Sequence, residues 1–139
     1  MNTDPLWDAP IDPADVHTAA NAVPPLDDDL AGALDDLAGV HPGIDLICDG
    51  ARLLATDRLT ANQTQTILST IAGADANVLH LLGLLVQRLT DPASNPALAH
   101  LTPDTGKKVR QRGEHFAYDL AHLAPGDHTS EAAALIDGI

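Results

Sequence analysis

The chain has 139 residues, of which 45% are hydrophobic but only 2% aromatic, and its formal net charge is −13. This length fits one domain that can bury a core without disulfides or metal staples. An acidic chain repels nucleic acid and anionic membranes in bulk, and a single cysteine, Cys48, excludes an internal disulfide. The first residues lack the basic and apolar regions of a signal peptide, so a cytoplasmic location is expected.

Leucine and alanine have to fill the core, because the chain offers only three aromatic residues. These residues suit closely packed helices better than sheets, and no stretch alternates convincingly as a strand. The sequence therefore predicts an all-α fold, with a single compact array of about six or seven helices and no sheet. This helical domain is expected over residues 12–139, after an irregular arm at residues 1–11.

Three helices are predicted in the first 60 residues, each from an N-terminal signal and an apolar stripe with helical spacing. Asp12 and Asp27 have the pattern of N-caps, and Pro13 suits the first helical position. His41-Pro42-Gly43 is interpreted as a turn. The predicted bounds are 13 to about 23, 28 to about 38, and 44 to about 56.

The third of these helices has two apolar surfaces. Most of its apolar residues form one broad stripe, but Leu46 and Leu53 lie outside it, which indicates that two faces are covered. Cys48 falls on the stripe and is interpreted as a small core residue, because a reactive thiolate needs exposure and a basic neighbour.

The most apolar window, residues 74–91, is predicted to be the central helix of the array. Its leucines and valines, apart from Leu84, cover an arc of roughly 160°, which suits a helix with several neighbours. Asp75 is the expected N-cap, and Asp91-Pro92 is the expected end. A membrane span needs about 20 apolar residues, and this run contains His80, so no membrane association is expected.

The remaining helices are placed by similar signals. Thr60 and Gln63 match a capping box, which predicts a helix that stops near Gly73. Residues 92–102 are interpreted as a loop with one short turn. Thr102-Pro103-Asp104 predicts the start of a long helix to about Ala124, and a last helix is expected from about 128 to 137.

Four of the seven basic residues fall within six positions of the long helix. They are Lys107, Lys108, Arg110 and Arg112. Cations in the early turns of a helix oppose its dipole, which suggests another reason for their presence. Three interpretations remain open: neutralisation by the chain's own aspartates, docking of an acidic protein or a second copy, and contact with phosphate or nucleic acid.

His115, Asp119 and His122 occupy adjacent turns of the same helix and are a weak candidate metal site. Structural metal sites usually need four protein ligands, so the alternative is a solvated polar face with an internal His–Asp pair. No known catalytic or nucleotide-binding motif occurs in the chain. No catalytic residue and no cofactor are therefore predicted.

The leading hypothesis is a non-enzymatic helical protein that binds another protein or a second copy of itself, in an adaptor, regulatory or assembly role. One alternative is a nucleic-acid-associated regulator that uses residues 107–112. A variant of that alternative is an acidic DNA mimic that occupies a basic partner. A further alternative is a small metal-dependent enzyme built on His115, Asp119 and His122.

Overall fold

The computed structural model describes residues 22–73, 77–122 and 126–137, and within these ranges all regular structure is helical. The helices are α1 (Asp28–Leu37), α2 (Pro42–Thr56), α3 (Ala61–Ala72), α4 (Val78–Leu89), a 3-10 helix (Pro96–Leu98), α5 (Pro103–His122) and α6 (Gly126–Asp137). The all-α class is therefore confirmed for these ranges. The predicted arm at 1–11 and the predicted helix from 13 to about 23 lie outside them, apart from Ala22 and Val23, which are not helical.

The chain divides into two compact units, Met1–Thr60 and Ala61–Ile139. In the first unit α1 packs against α2. In the second unit α4 packs against α5, α3 packs against α6, and α3 also contacts α4. The single domain over residues 12–139 and the central place of the apolar helix stay predictions. None of the helices in the described ranges is long and apolar enough to cross a membrane.

Both helices in the described part of the first unit begin at a capping side chain. Asp27 Oδ2 accepts a hydrogen bond from the Leu30 amide at 3.0 Å, which confirms the predicted cap of α1. The predicted turn at His41-Pro42-Gly43 is wrong, because α2 already begins at Pro42. His41 Nδ1 accepts from the Gly43 amide at 2.8 Å and so caps this helix. Proline fits the first helical position because the amide it lacks would have no intrahelical partner there.

The loop between α1 and α2 turns at Gly39, which has a φ of 81°. Glycine adopts this left-handed conformation without the steric cost that a Cβ would add. The Gly39 amide donates to Asp45 Oδ1 at 2.9 Å, so the first turn of α2 holds the loop. Leu34 on α1 and Cys48 on α2 are the buried apolar residues of the described part of this unit, at 4% and 5% exposure. The interpretation of Cys48 as a small core residue is confirmed.

Helix α4 is shorter than the predicted window of 74–91 and has a different cap. It begins at Val78, and Asn77 Oδ1 accepts from the His80 amide at 2.8 Å. Asp75, the predicted cap, lies outside the described residues. The cap of α4 is therefore Asn77 and not Asp75, because the helix begins at Val78 and an N-cap directly precedes the first helical residue.

Small residues allow α4 and α5 to approach closely. A Cβ built on Gly83 of α4 would lie 3.1 Å from Ala117 Cα, and one built on Gly106 would lie 3.2 Å from Pro92 Cγ. A Cβ on Gly113 would overlap Thr90 Oγ1. Gly106, Gly113 and Ala117 are spaced by seven and four residues, so they form one stripe along α5. This stripe is the surface on which α4 and the chain after it are seated.

Helix α6 is fixed to α3 by side chains that bond to carbonyl groups. Thr129 Oγ1 donates to the Ala72 carbonyl at 2.9 Å, and Gln65 Nε2 donates to the Ala133 carbonyl at 3.0 Å. Ala72 is 4% exposed at this contact. These long-range bonds satisfy polar groups at the contact between the two helices.

Asn77→Ala is expected to destabilise the second unit by about 1 kcal/mol, because it removes the side-chain acceptor at the start of α4. Asn62→Ala is the matched control, since Asn62 lies within α3 and alanine is the better helix former. Urea unfolding followed by circular dichroism measures both effects. Equal stability of the Asn77 variant and the wild type would contradict the assigned cap.

Candidate binding surfaces

The basic segment of α5 divides into two parts in the structure. The helix starts as predicted after Thr102, whose Oγ1 accepts from the Thr105 amide at 3.2 Å. At about 100° per residue, Lys107 and Arg110 lie on one edge of α5. Lys108 and Arg112 lie roughly 150° away, on the other edge. The four cations therefore do not form one continuous surface.

Two of these cations are paired with acids on the same helix. Lys108 Nζ lies 3.2 Å from Asp104 Oδ2, and Arg110 Nε lies 3.7 Å from Glu114 Oε1. Both pairs are exposed, so each contributes little to stability. Within the described ranges no ion pair involves Lys107 or Arg112. Among the described residues, ion pairs with acids on the same helix therefore account for two of the four cations.

Lys107 and Arg110 line an open pocket of about 420 Å³ at the start of α5. Most of its remaining walls come from the chain between α4 and α5 and include several apolar side chains. A pocket of this size can hold a small ligand. However, Asp91 also lines it, with its Oδ1 accepting from the Ala93 amide at 3.0 Å. This carboxylate opposes the two cations, so the pocket offers no strongly positive field for an anion.

The candidate metal ligands on α5 are exposed and do not converge. His122 Nδ1 lies 2.9 Å from the Tyr118 carbonyl oxygen, and the two rings stack with centroids 4.0 Å apart. Among the described residues no group of three or more His, Cys, Asp or Glu side chains could hold a metal ion. The hypothesis of a site at His115, Asp119 and His122 gains no support from this arrangement.

Helix α4 keeps an exposed apolar face beside the face that packs on α5. Leu79, Leu82 and Val86 are partly buried around Gly83, as expected for the packed side. Leu81, Leu85 and Leu89, here called the α4 leucine face, are 62%, 41% and 53% exposed. Their spacing of four residues places them on one side of the helix.

Helix α2 presents a second exposed apolar surface, here called the α2 ridge. It consists of Leu46, Ile47, Leu53 and Leu54, which are 70%, 49%, 66% and 41% exposed and are grouped around Gly50. The opposite face carries the buried Cys48 and packs on α1. The sequence indicated two apolar faces from the positions of Leu46 and Leu53, but it predicted both to be covered. The ridge has a signal in the sequence: large apolar residues stand three and four positions before and after a glycine.

Comparison of the chain with protein-family models, curated proteins and solved structures finds no match. Function is therefore inferred from these surfaces alone. The two apolar surfaces are continuous along a helix, whereas the basic segment is divided and the candidate metal ligands stay apart.

Proposed function

We propose that this chain is a non-enzymatic protein that acts by binding another protein through its exposed apolar helix faces. The observation that carries the proposal is the exposure of Leu81, Leu85 and Leu89 along one side of α4. Contiguous apolar surface on a protein marks an interaction site more often than isolated apolar residues do. An adaptor, regulatory or assembly role is consistent with such a surface.

The energetics support the same proposal. In the described ranges the buried apolar residues are Leu34, Cys48 and Ala72, and no large side chain is fully buried. Covering one half-exposed leucine contributes on the order of 1 kcal/mol. A partner that covers the α4 leucine face therefore gains several favourable contacts that the chain does not make within its second unit.

The nucleic-acid alternative has weaker support. Duplex binding is strongest when several cations face the phosphates together, because each contact releases counterions. Here Lys107 and Arg110 lie on one edge of α5, while Lys108 and Arg112 lie on the other. Two of the four are also paired with acids.

The double variant Leu81→Gln/Leu85→Gln is expected to reduce capture of a protein partner from the native host's lysate by at least about tenfold. The reason is the loss of two neighbouring apolar contacts on the α4 leucine face. Leu135→Gln is the matched control, because Leu135 is 77% exposed on a different helix, α6. Capture is quantified by mass spectrometry with and without nuclease, after circular dichroism has confirmed that each variant is folded.

Unchanged capture by the double variant would contradict a role for the α4 leucine face. Loss of the captured protein after nuclease treatment would favour the nucleic-acid alternative. Reversing the charges of Lys107, Lys108, Arg110 and Arg112 would then abolish capture as well.

A further inference from the structure

The α2 ridge surrounds a depression centred on Gly50. Its four large side chains stand three and four residues before and after this glycine, so they are its neighbours on the helix surface. A Cβ built on Gly50 meets nothing within 4 Å, so the space above the glycine is open. Packed helices insert a side chain of one helix into a hole between side chains of the other. The depression at Gly50 has the form of such a hole.

The dimensions of the α2 ridge suit a helix. Leu46 and Leu53 are seven residues apart, or about 10 Å along the axis, which is two helical turns. A helix that docks in an apolar groove uses anchors at positions i, i+3 or i+4, and i+7, which cover the same length. The ridge offers apolar side chains and no free backbone groups. Its ligand must therefore satisfy its own backbone hydrogen bonds, as a helix does.

The described part of the first unit, which carries the ridge, is acidic. Residues 22–60 contain eight aspartates and two arginines. Asp49 lies at the edge of the ridge, three residues after Leu46 and four before Leu53, and its side chain is 69% exposed. Its pair with Arg52, at 3.5 Å, is exposed and weak. A second copy docked here would bring acid against acid, whereas a cationic partner gains complementary charge.

We propose that the α2 ridge docks a basic amphipathic helix of a partner protein, with a large apolar side chain seated over Gly50. This inference rests on the proposed function and adds the chemical class of the partner. Apolar anchors of the partner helix cover Leu46 and Leu53, and a lysine or arginine of that helix faces Asp49 at the edge of the ridge. Three features together indicate this class of partner: the depression at Gly50, the length of the ridge and the negative charge beside it.

The test uses the full chain and a fluorescent amphipathic peptide of about 18 leucines and lysines, long enough to form a helix when bound. Gly50→Leu fills the depression and is expected to weaken binding by at least about tenfold in fluorescence anisotropy. Gly32→Leu is the matched control, because Gly32 is an exposed glycine of α1 with nothing within 4 Å of a built Cβ. Its binding is expected to stay within about twofold of wild type. Leucine is a good helix former, so both variants keep their helices.

A peptide with glutamate in place of lysine tests the charge and is expected to bind at least about tenfold more weakly. Equal binding of the lysine peptide to wild type and Gly50→Leu would overturn the proposal, and so would equal binding of both peptides to wild type. A wild-type dimer that Gly50→Leu dissociates would identify a second copy as the occupant and would also overturn it. Capture that depends on the α4 leucine face is measured separately, so a failure here leaves the proposed function standing.

Discussion

Leu34→Ala is expected to lower the stability of the first unit by about 2–4 kcal/mol, because the deleted methyl groups leave a cavity in a very small core. Leu34 is 4% exposed, and the other buried apolar residue in the described part of this unit is Cys48. The side chain of Cys48 is too short to fill the cavity that Leu34→Ala would leave. Hydrogen exchange measured by mass spectrometry over α1 and α2 reports this loss separately from the second unit.

Leu37→Ala is the matched control for this variant. Leu37 lies three residues later on the same helix and is 49% exposed, so its truncation creates no enclosed cavity. A loss of about 1 kcal/mol or less is expected. Similar exchange rates in the two variants would contradict the packing of α1 on α2 through Leu34.

Local chemistry made several helix starts predictable from the sequence. Asp27 and Thr102 are followed by residues that suit a first helical turn, and both accept the expected amide hydrogen bond in the structure. Cap signals act within four residues, so they need no knowledge of the fold. The 3-10 helix at Pro96–Leu98 also falls inside the segment that the sequence predicts as a loop with one short turn.

The cap of α4 and the part of its apolar surface that stays exposed could not be predicted from the sequence. Asp75 and Asn77 both belong to residue types that favour the N-cap, so cap preference alone does not choose between them. The same limit applies to the exposed face of α4, because a wide apolar arc does not state which part of it is covered. Only the structure shows that Leu81 stays 62% exposed while Gly83 is buried against Ala117.

The basic segment shows a different limit, because closeness in sequence does not ensure closeness in space. Lys107 and Lys108 are adjacent in the chain but lie about 100° apart around α5. A count of cations over six positions therefore overstates the charge density of one surface. The four-residue spacing from Asp104 to Lys108 is the sequence signal for an ion pair within the helix.

Gly113→Ala is expected to destabilise the second unit by about 1–3 kcal/mol, although alanine is the better helix former by about 1 kcal/mol. The new Cβ would overlap Thr90 Oγ1 and lie 2.9 Å from Thr90 Cβ. Rotation of the Thr90 side chain does not move its Cβ, and it would break the 2.7 Å hydrogen bond from Oγ1 to the Val86 carbonyl. Helices α4 and α5 therefore have to separate, which loosens the contact at Gly83 as well.

Gly50→Ala supplies the comparison that separates packing from helix propensity. Gly50 also lies inside a helix, but a Cβ there meets nothing within 4 Å, so the variant is expected to gain about 0.5–1 kcal/mol. The same glycine-to-alanine substitution is thus expected to lower the free energy of unfolding at Gly113 and to raise it at Gly50, as measured by urea unfolding. A Gly113→Ala protein stabilised as much as Gly50→Ala would show that α4 and α5 do not meet at Thr90 and Gly113. Slower amide exchange in α5 of the Gly113→Ala protein than in the wild type would also contradict this contact. The clash of the new Cβ with Thr90 is expected to loosen α5 and so to make its amides exchange faster.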